Sequence, residues 1–235
     1  MLAELAPFVV LSVVIFGFVL VIRHMASLKK KVEQRGEELE IALAPAGYFP
    51  SPAAERVASE VGRTPRFEGQ QFQLNGLLAK DSRAGLRYVL DYQSRSGSSG
   101  SSTDRGTLFG VRLTGRQLPR FVFRHSSMKM PGILAAGLDK LVSLRYPGFE
   151  RVPLEGVSPD LTHSLLYSEN RDSGVRLLSA DVIEVFSRHD DWGVESTGSW
   201  LLAEHGSHGR ATSPDVAAVA GEVVEFDELA DAFEV

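Results

Sequence analysis

Cysteine is absent from all 235 residues. That excludes disulfides, iron–sulfur clusters, thiolate zinc and cysteine nucleophiles, and it leaves the compartment open. The motifs of several large enzyme classes are missing too. There is no GxSxG elbow, Walker-type loop, HExxH helix or dinucleotide-binding fingerprint. Charge is lacking in stretches. No acid occurs from Arg105 to Leu138, while Arg105, Arg112, Arg116, Arg120, Arg124 and Lys129 give +6 there. No Lys or Arg occurs in the final 23 residues, from Ser213, which hold seven acids. The net charge of −5 therefore conceals a strong internal asymmetry.

The longest stretch without charge is residues 5–22, LAPFVVLSVVIFGFVLVI. Eighteen residues at helical rise reach about 27 Å, close to the thickness of a hydrocarbon core. Arg23, Lys29, Lys30, Lys31 and Arg35 follow this run, and only Glu4 and the terminal amine precede it. A cleaved export signal has the reverse charge order. The pattern predicts an N-terminal transmembrane helix at 1–22 with the lipid bilayer as partner of 5–22. By the positive-inside rule it predicts a single-pass protein of the inner membrane, with its N-terminus outside and its C-terminal domain cytoplasmic. Residues 23–50 are expected to form a basic juxtamembrane helix and linker, with Leu28, Val32, Leu39 and Leu43 on a thin apolar stripe, and 51–235 a single soluble domain.

Within that domain, Ser51-Pro52 opens a short helix to about Val61. Strands are expected over 66–76, 86–94, 107–113 and 120–125, with the Ser/Gly-rich stretch 94–106 as a flexible loop. A helix over 131–143, a strand over 149–156 and a short strand at Val175 to Leu178 follow. Ser179 caps a helix over 179–190, and 191–206 reads as a hairpin with Trp192 and Val194 on one arm and Trp200 and Leu202 on the other. From Ser213-Pro214 a last helix turns Val216, Val219, Ala220, Val223, Leu229 and Phe233 inward and its acids outward. Strands outnumber helices and run as meanders, which indicates an α+β class with a mainly antiparallel sheet.

Two groups of residues bear on chemistry. His205 and His208 have the spacing of a metal pair, which with the acids near Asp190 would serve a metal-dependent hydrolase, but they sit in a glycine-rich loop without an evident third ligand. If 107–113 pairs with 120–125, then Phe109, Val111, Leu113, Phe121 and Phe123 enter the core, and Arg112, Arg120 and Arg124 share the other face. Together with Lys29, Lys30 and Lys31 those arginines could meet anionic headgroups, at about 1 kcal/mol each. The alternative is that they pair with acids of this same chain. Nucleic acid is not expected, because the domain is acidic and the stripe lacks exposed aromatics.

The stretch 170–204, through Ser179, Asp181, Trp192 and Trp200, resembles bacterial single-pass membrane-anchored proteins of uncharacterised function. The resemblance implies a membrane protein and transfers no catalytic residue. Taken together, the residues point to a membrane-tethered cytoplasmic interaction or scaffold module with an unknown protein partner, no cofactor and no identifiable catalysis. A deep pocket gathering several titratable side chains with shifted pKa values would overturn the non-enzymatic reading. Oligomeric state is not encoded legibly.

Overall fold

The computed structural model describes residues 2–83, 85–97, 102–114, 117–125, 137, 140, 142–154, 157–189, 191–206 and 215–233. Among these, nine strands form one antiparallel sheet in the order β1-β2-β3-β4-β9-β8-β5-β7-β6. The strands are β1 (Phe49–Pro50), β2 (Gln70–Ser82), β3 (Gly85–Ser96), β4 (Ser102–Leu113), β5 (Phe121–Arg124), β6 (Glu150–Val152), β7 (Leu165–Ser168), β8 (Trp192–Ser196) and β9 (Trp200–His205). Five helices accompany them: α1 (Leu2–Leu43), α2 (Ala54–Gly62), α3 (Arg171–Arg176), α4 (Ala180–Arg188) and α5 (Val216–Phe233). The α+β class and the mainly antiparallel sheet stand as expected.

Strand alternation sends side chains to two faces. On the first face Val89, Phe109, Val111, Phe121, Phe123, Trp192, Val194 and Leu201 pack under α4, α5 and the end of α1. Leu39 and Leu43 of α1 belong to this core at 3% and 0% exposure, and burial at that level is worth about 2 kcal/mol apiece. On the second face two smaller clusters form. Val57 and Val61 of α2 cover Tyr88, Leu90, Leu108, Trp200 and Leu202. Tyr146, Phe149 and Val142 cover Val122, Leu165 and Tyr167.

Two charges of β3 are buried on the first face, and each is met by a covering helix. Arg35 of α1 donates to Asp91 at 3.0 Å. Arg87 bonds to Asp227 at 3.0 Å and to Asp231, both on α5. The acids of α5 are therefore not all turned outward: Glu222 is buried, Asp227 also accepts from Lys80 and Tyr48, and Glu225 accepts from Trp192 Nε1.

The transmembrane anchor is not upheld. Among the described residues no helix is long and apolar enough to cross a membrane. Nor does the helix stop at the basic cluster: it continues unbroken to Leu43 and docks its end in the core. The transmembrane helix at 1–22, the single-pass inner-membrane placement and the bilayer as partner of 5–22 are withdrawn with it.

Three smaller expectations also change. The Ser/Gly-rich 94–106 is largely strand, because Gln70 to Gln73 of β2 offer ladder partners to residues 93–96, which in turn pair with residues 102–105. Val175 lies in helix α3, started by Asn170, whose side chain accepts from Ser173 N. Finally, β4 and β5 are not partners, since the Trp hairpin β8–β9 lies between them. Most of the helix expected over 131–143 lies outside the described residues; 142–145 are helical.

Candidate functional site

A cavity of about 210 Å³ opens on the second face where the α2-side and Tyr146-side clusters meet. Its floor is the sheet, with Tyr92 and Ser94 from β3, Asp104 from β4, Glu204 from β9, Glu195 from β8 and Arg124 from β5. Arg66, on the 3₁₀ turn Pro65–Phe67, and Tyr146 wall it from opposite sides.

The floor depends on strand register. Arg124 lies opposite Gly193, and Gly193 lies opposite Glu204, so the three stand abreast across β5, β8 and β9. Arg124 reaches over Gly193 toward Glu204. A Cβ on Gly193 would lie 1.5 Å from Arg124 Nη1 and 2.4 Å from Cζ, so only glycine leaves that path open. Tyr92 similarly lies over its partner Gly106, where a Cβ would come within 3.2 Å of the ring. Two glycines thus let long side chains lie across neighbouring strands, Arg124 toward Glu204 and Tyr92 toward Arg66.

The two arginines are matched unequally. Arg66 bonds to Glu204 Oε2 directly. Burial alone would lower its pKa, but the Glu204 carboxylate beside it holds the guanidinium well above its ordinary value. Arg124 faces the same oxygen from 3.7 Å, beyond hydrogen-bonding reach. Burial, together with the positive charge of Arg66, pulls Arg124 below its ordinary pKa. Glu195 is 4% exposed, and its Oε2 accepts from Tyr146 Oη at 2.6 Å. Its Oε1 has no hydrogen-bond partner among the described residues. Burial raises both tyrosines, and the Glu195 charge pushes Tyr146 further.

The arginines singled out from sequence do lie on this face, but they divide between two places. Arg112 makes a bidentate pair with Glu60, Nε–Oε2 2.9 Å and Nη2–Oε1 3.2 Å, and Trp200 Nε1 donates to the same carboxylate at 3.0 Å. Arg120 pairs with Glu169 and lies over the Phe149 ring. Arg112 and Arg120 border one open groove, and Arg124 alone enters the cavity. Lys29, Lys30 and Lys31 are exposed on α1, with Lys29 3.7 Å from Glu33.

Among the described residues no group of three or more His, Asp or Glu side chains is placed to hold a metal ion. His205 Nδ1 is 3.5 Å from Glu222 Oε1 of α5, and its ring meets Trp192 edge-on. His208 and Asp190 lie outside the described residues. Sequence reasoning missed Arg66, Tyr92, Tyr146, Glu195 and Glu204. One signal was available: Glu204 alternates with Trp200 and Leu202, which puts an acid on an apolar strand face.

No family model matches the sequence, and no curated protein matches it. The fold is similar to the crystal structure of the mycobacterial trehalose monomycolate transport factor A, TtfA, at 11% identity and a TM-score of 0.48, over 84% of this chain and 93% of that one.

Proposed function

We propose that this chain is an interaction module whose cavity binds a small ligand bearing an oxyanion, with Arg124 as the principal contact. The observation that carries the reading is the half-met guanidinium. Arg124 is partly desolvated, held over Gly193, and left 3.7 Å from a carboxylate already engaged by Arg66. A phosphate or carboxylate oxygen entering the cavity would give it the charge-assisted bonds it lacks. Arg112 and Arg120 have close carboxylate partners at Glu60 and Glu169, so anion binding is assigned to Arg124 rather than to a flat arginine stripe.

The cavity does gather groups with shifted pKa values, a feature often shared by active sites. Burial and the Arg66 charge lower Arg124, as befits a guanidinium without a bonded anion, while the raised phenols of Tyr92 and Tyr146 keep their protons and can donate to such a ligand. The test is isothermal titration of the full chain with n-propyl phosphate, a phosphate ester without further charge. Saturable binding that Arg124→Gln weakens at least about tenfold is expected from a lost charged hydrogen bond. No binding, or equal binding by both proteins, would overturn the assignment.

A further inference from the structure

We infer that the cavity selects a zwitterion: a small molecule, or an exposed headgroup, carrying a primary ammonium a few bonds from its phosphate or carboxylate. The inference deepens the proposed function and rests on it. Three cationic side chains line the cavity, Arg66, Arg124 and Arg145, against the three acids Asp104, Glu195 and Glu204. Formal charge is balanced. A bare anion at Arg124 would leave that enclosure net negative and would lie among carboxylates, whereas a zwitterion keeps the balance.

The second recognition group is already in place. Glu195 is buried on β8, two residues along from Gly193, over which Arg124 passes. Tyr146 fixes one carboxylate oxygen, and Oε1 has no partner among the described residues. Buried polar atoms are normally satisfied, and an orphan oxygen on a cavity wall is the acceptor that a ligand ammonium would fill. Glu195 and Arg124 are diagonal neighbours across the β5–β8 ladder, a separation of about 7–8 Å between backbones. Both charges face the same small cavity, so a short linker is what could join groups bound to each. The volume of about 210 Å³ lies below the range for drug-sized ligands, which suits a headgroup and leaves no room for an acyl chain.

The experiment compares O-phosphoethanolamine with n-propyl phosphate, which has nearly the same shape but no ammonium, by titration calorimetry on the full chain. Phosphoethanolamine is expected to bind at least about tenfold more tightly. Glu195→Gln should erase that preference, bringing the two affinities within about twofold of each other, since the ammonium loses its acceptor. Equal affinities in the wild type, or a preference that survives Glu195→Gln, would overturn the inference and leave the oxyanion site standing. If neither compound binds, both readings fall. The wild-type comparison needs no variant, so it holds even if Glu195→Gln fails to fold. Vesicles of phosphatidylethanolamine, set against phosphatidylcholine alone, then identify the source. Competition by the former upholds a lipid headgroup, and lack of competition alongside phosphoethanolamine binding upholds a free zwitterion.

Discussion

Gly193→Ala puts the Arg–Gly–Glu row under direct strain. The added Cβ would stand 1.5 Å from Arg124 Nη1, 2.4 Å from Cζ and 2.9 Å from Cδ. Ordinary carbon contacts begin near 3.5 Å, so the guanidinium must move by about 2 Å and Cδ must shift as well. A rotation at the tip alone will not suffice. Overpacking of this kind costs about 1–3 kcal/mol, partly offset by about 0.4–1 kcal/mol from the stiffer unfolded chain. The net expectation is a loss of about 1–2 kcal/mol, with weakened n-propyl phosphate binding because Arg124 no longer lies over the cavity floor. Removing the obstacle should remove the cost: in an Arg124→Ala background, Gly193→Ala should be neutral or slightly stabilising. A double-mutant cycle from urea titrations, followed through the buried Trp192 and Trp200, should return a coupling of about 1–3 kcal/mol. Additive effects, or unchanged affinity in Gly193→Ala, would refute the proposed role of that glycine.

Other consequences follow from the charges on the sheet. Arg87→Met removes a buried cation from Asp227, which keeps Lys80 and Tyr48, and from the largely exposed Asp231, so it should cost about 1–2 kcal/mol in chemical denaturation. Burial raises the Asp91 carboxyl above its ordinary value of 3.8 despite the opposing pull of Arg35, so the folded state holds this proton more tightly than the unfolded chain. Stability from this group is therefore lost as pH rises through the window above 3.8, and wild type should gain on Asp91→Asn when urea midpoints are measured from pH 7 down to 4. Glu60→Ala removes the acceptor shared by Arg112 and the buried Trp200 Nε1. A loss of about 1–3 kcal/mol is expected in thermal or urea unfolding, with n-propyl phosphate binding unaffected because Glu60 borders the other groove.

The parts of this fold that could be read in advance are those whose physics is local. The Trp192–Trp200 hairpin announces itself by alternation around a tight turn, and Ser179 by its capping oxygen, which accepts from Val182 N. The inward face of α5 follows from its apolar spacing. What failed depended on distant partners. Serines and glycines around 94–106 form strand because β2 lies alongside to bond them. Strand β7, four residues buried throughout, left no periodic trace because no polar residue alternates along it. The N-terminal apolar run looked like an anchor from composition, and only the described helix shows it continuing into the core at Leu39 and Leu43. The cavity was least legible of all. It needs β5 beside β8 and β8 beside β9, a row that unites Arg124, Gly193 and Glu204 from two distant segments. Only Glu204, an acid in phase with Trp200 and Leu202, hinted that a cation waited inside.

The central position of the β8–β9 hairpin also bears on how the chain reaches this state. Strands β1 to β4 are contiguous in sequence and can zip together early, but the outer edge of β4 is closed only by β9, through pairs such as Phe109 with Ala203. During synthesis, residues 109–112 therefore present an open, apolar sheet edge until β9, about 90 residues further on, has emerged. Such edges recruit other strands, and non-local closure is slow. A chain truncated before Trp192 keeps that edge for good, so the hairpin that completes the ligand cavity is also what ends the molecule's period of greatest exposure to aggregation.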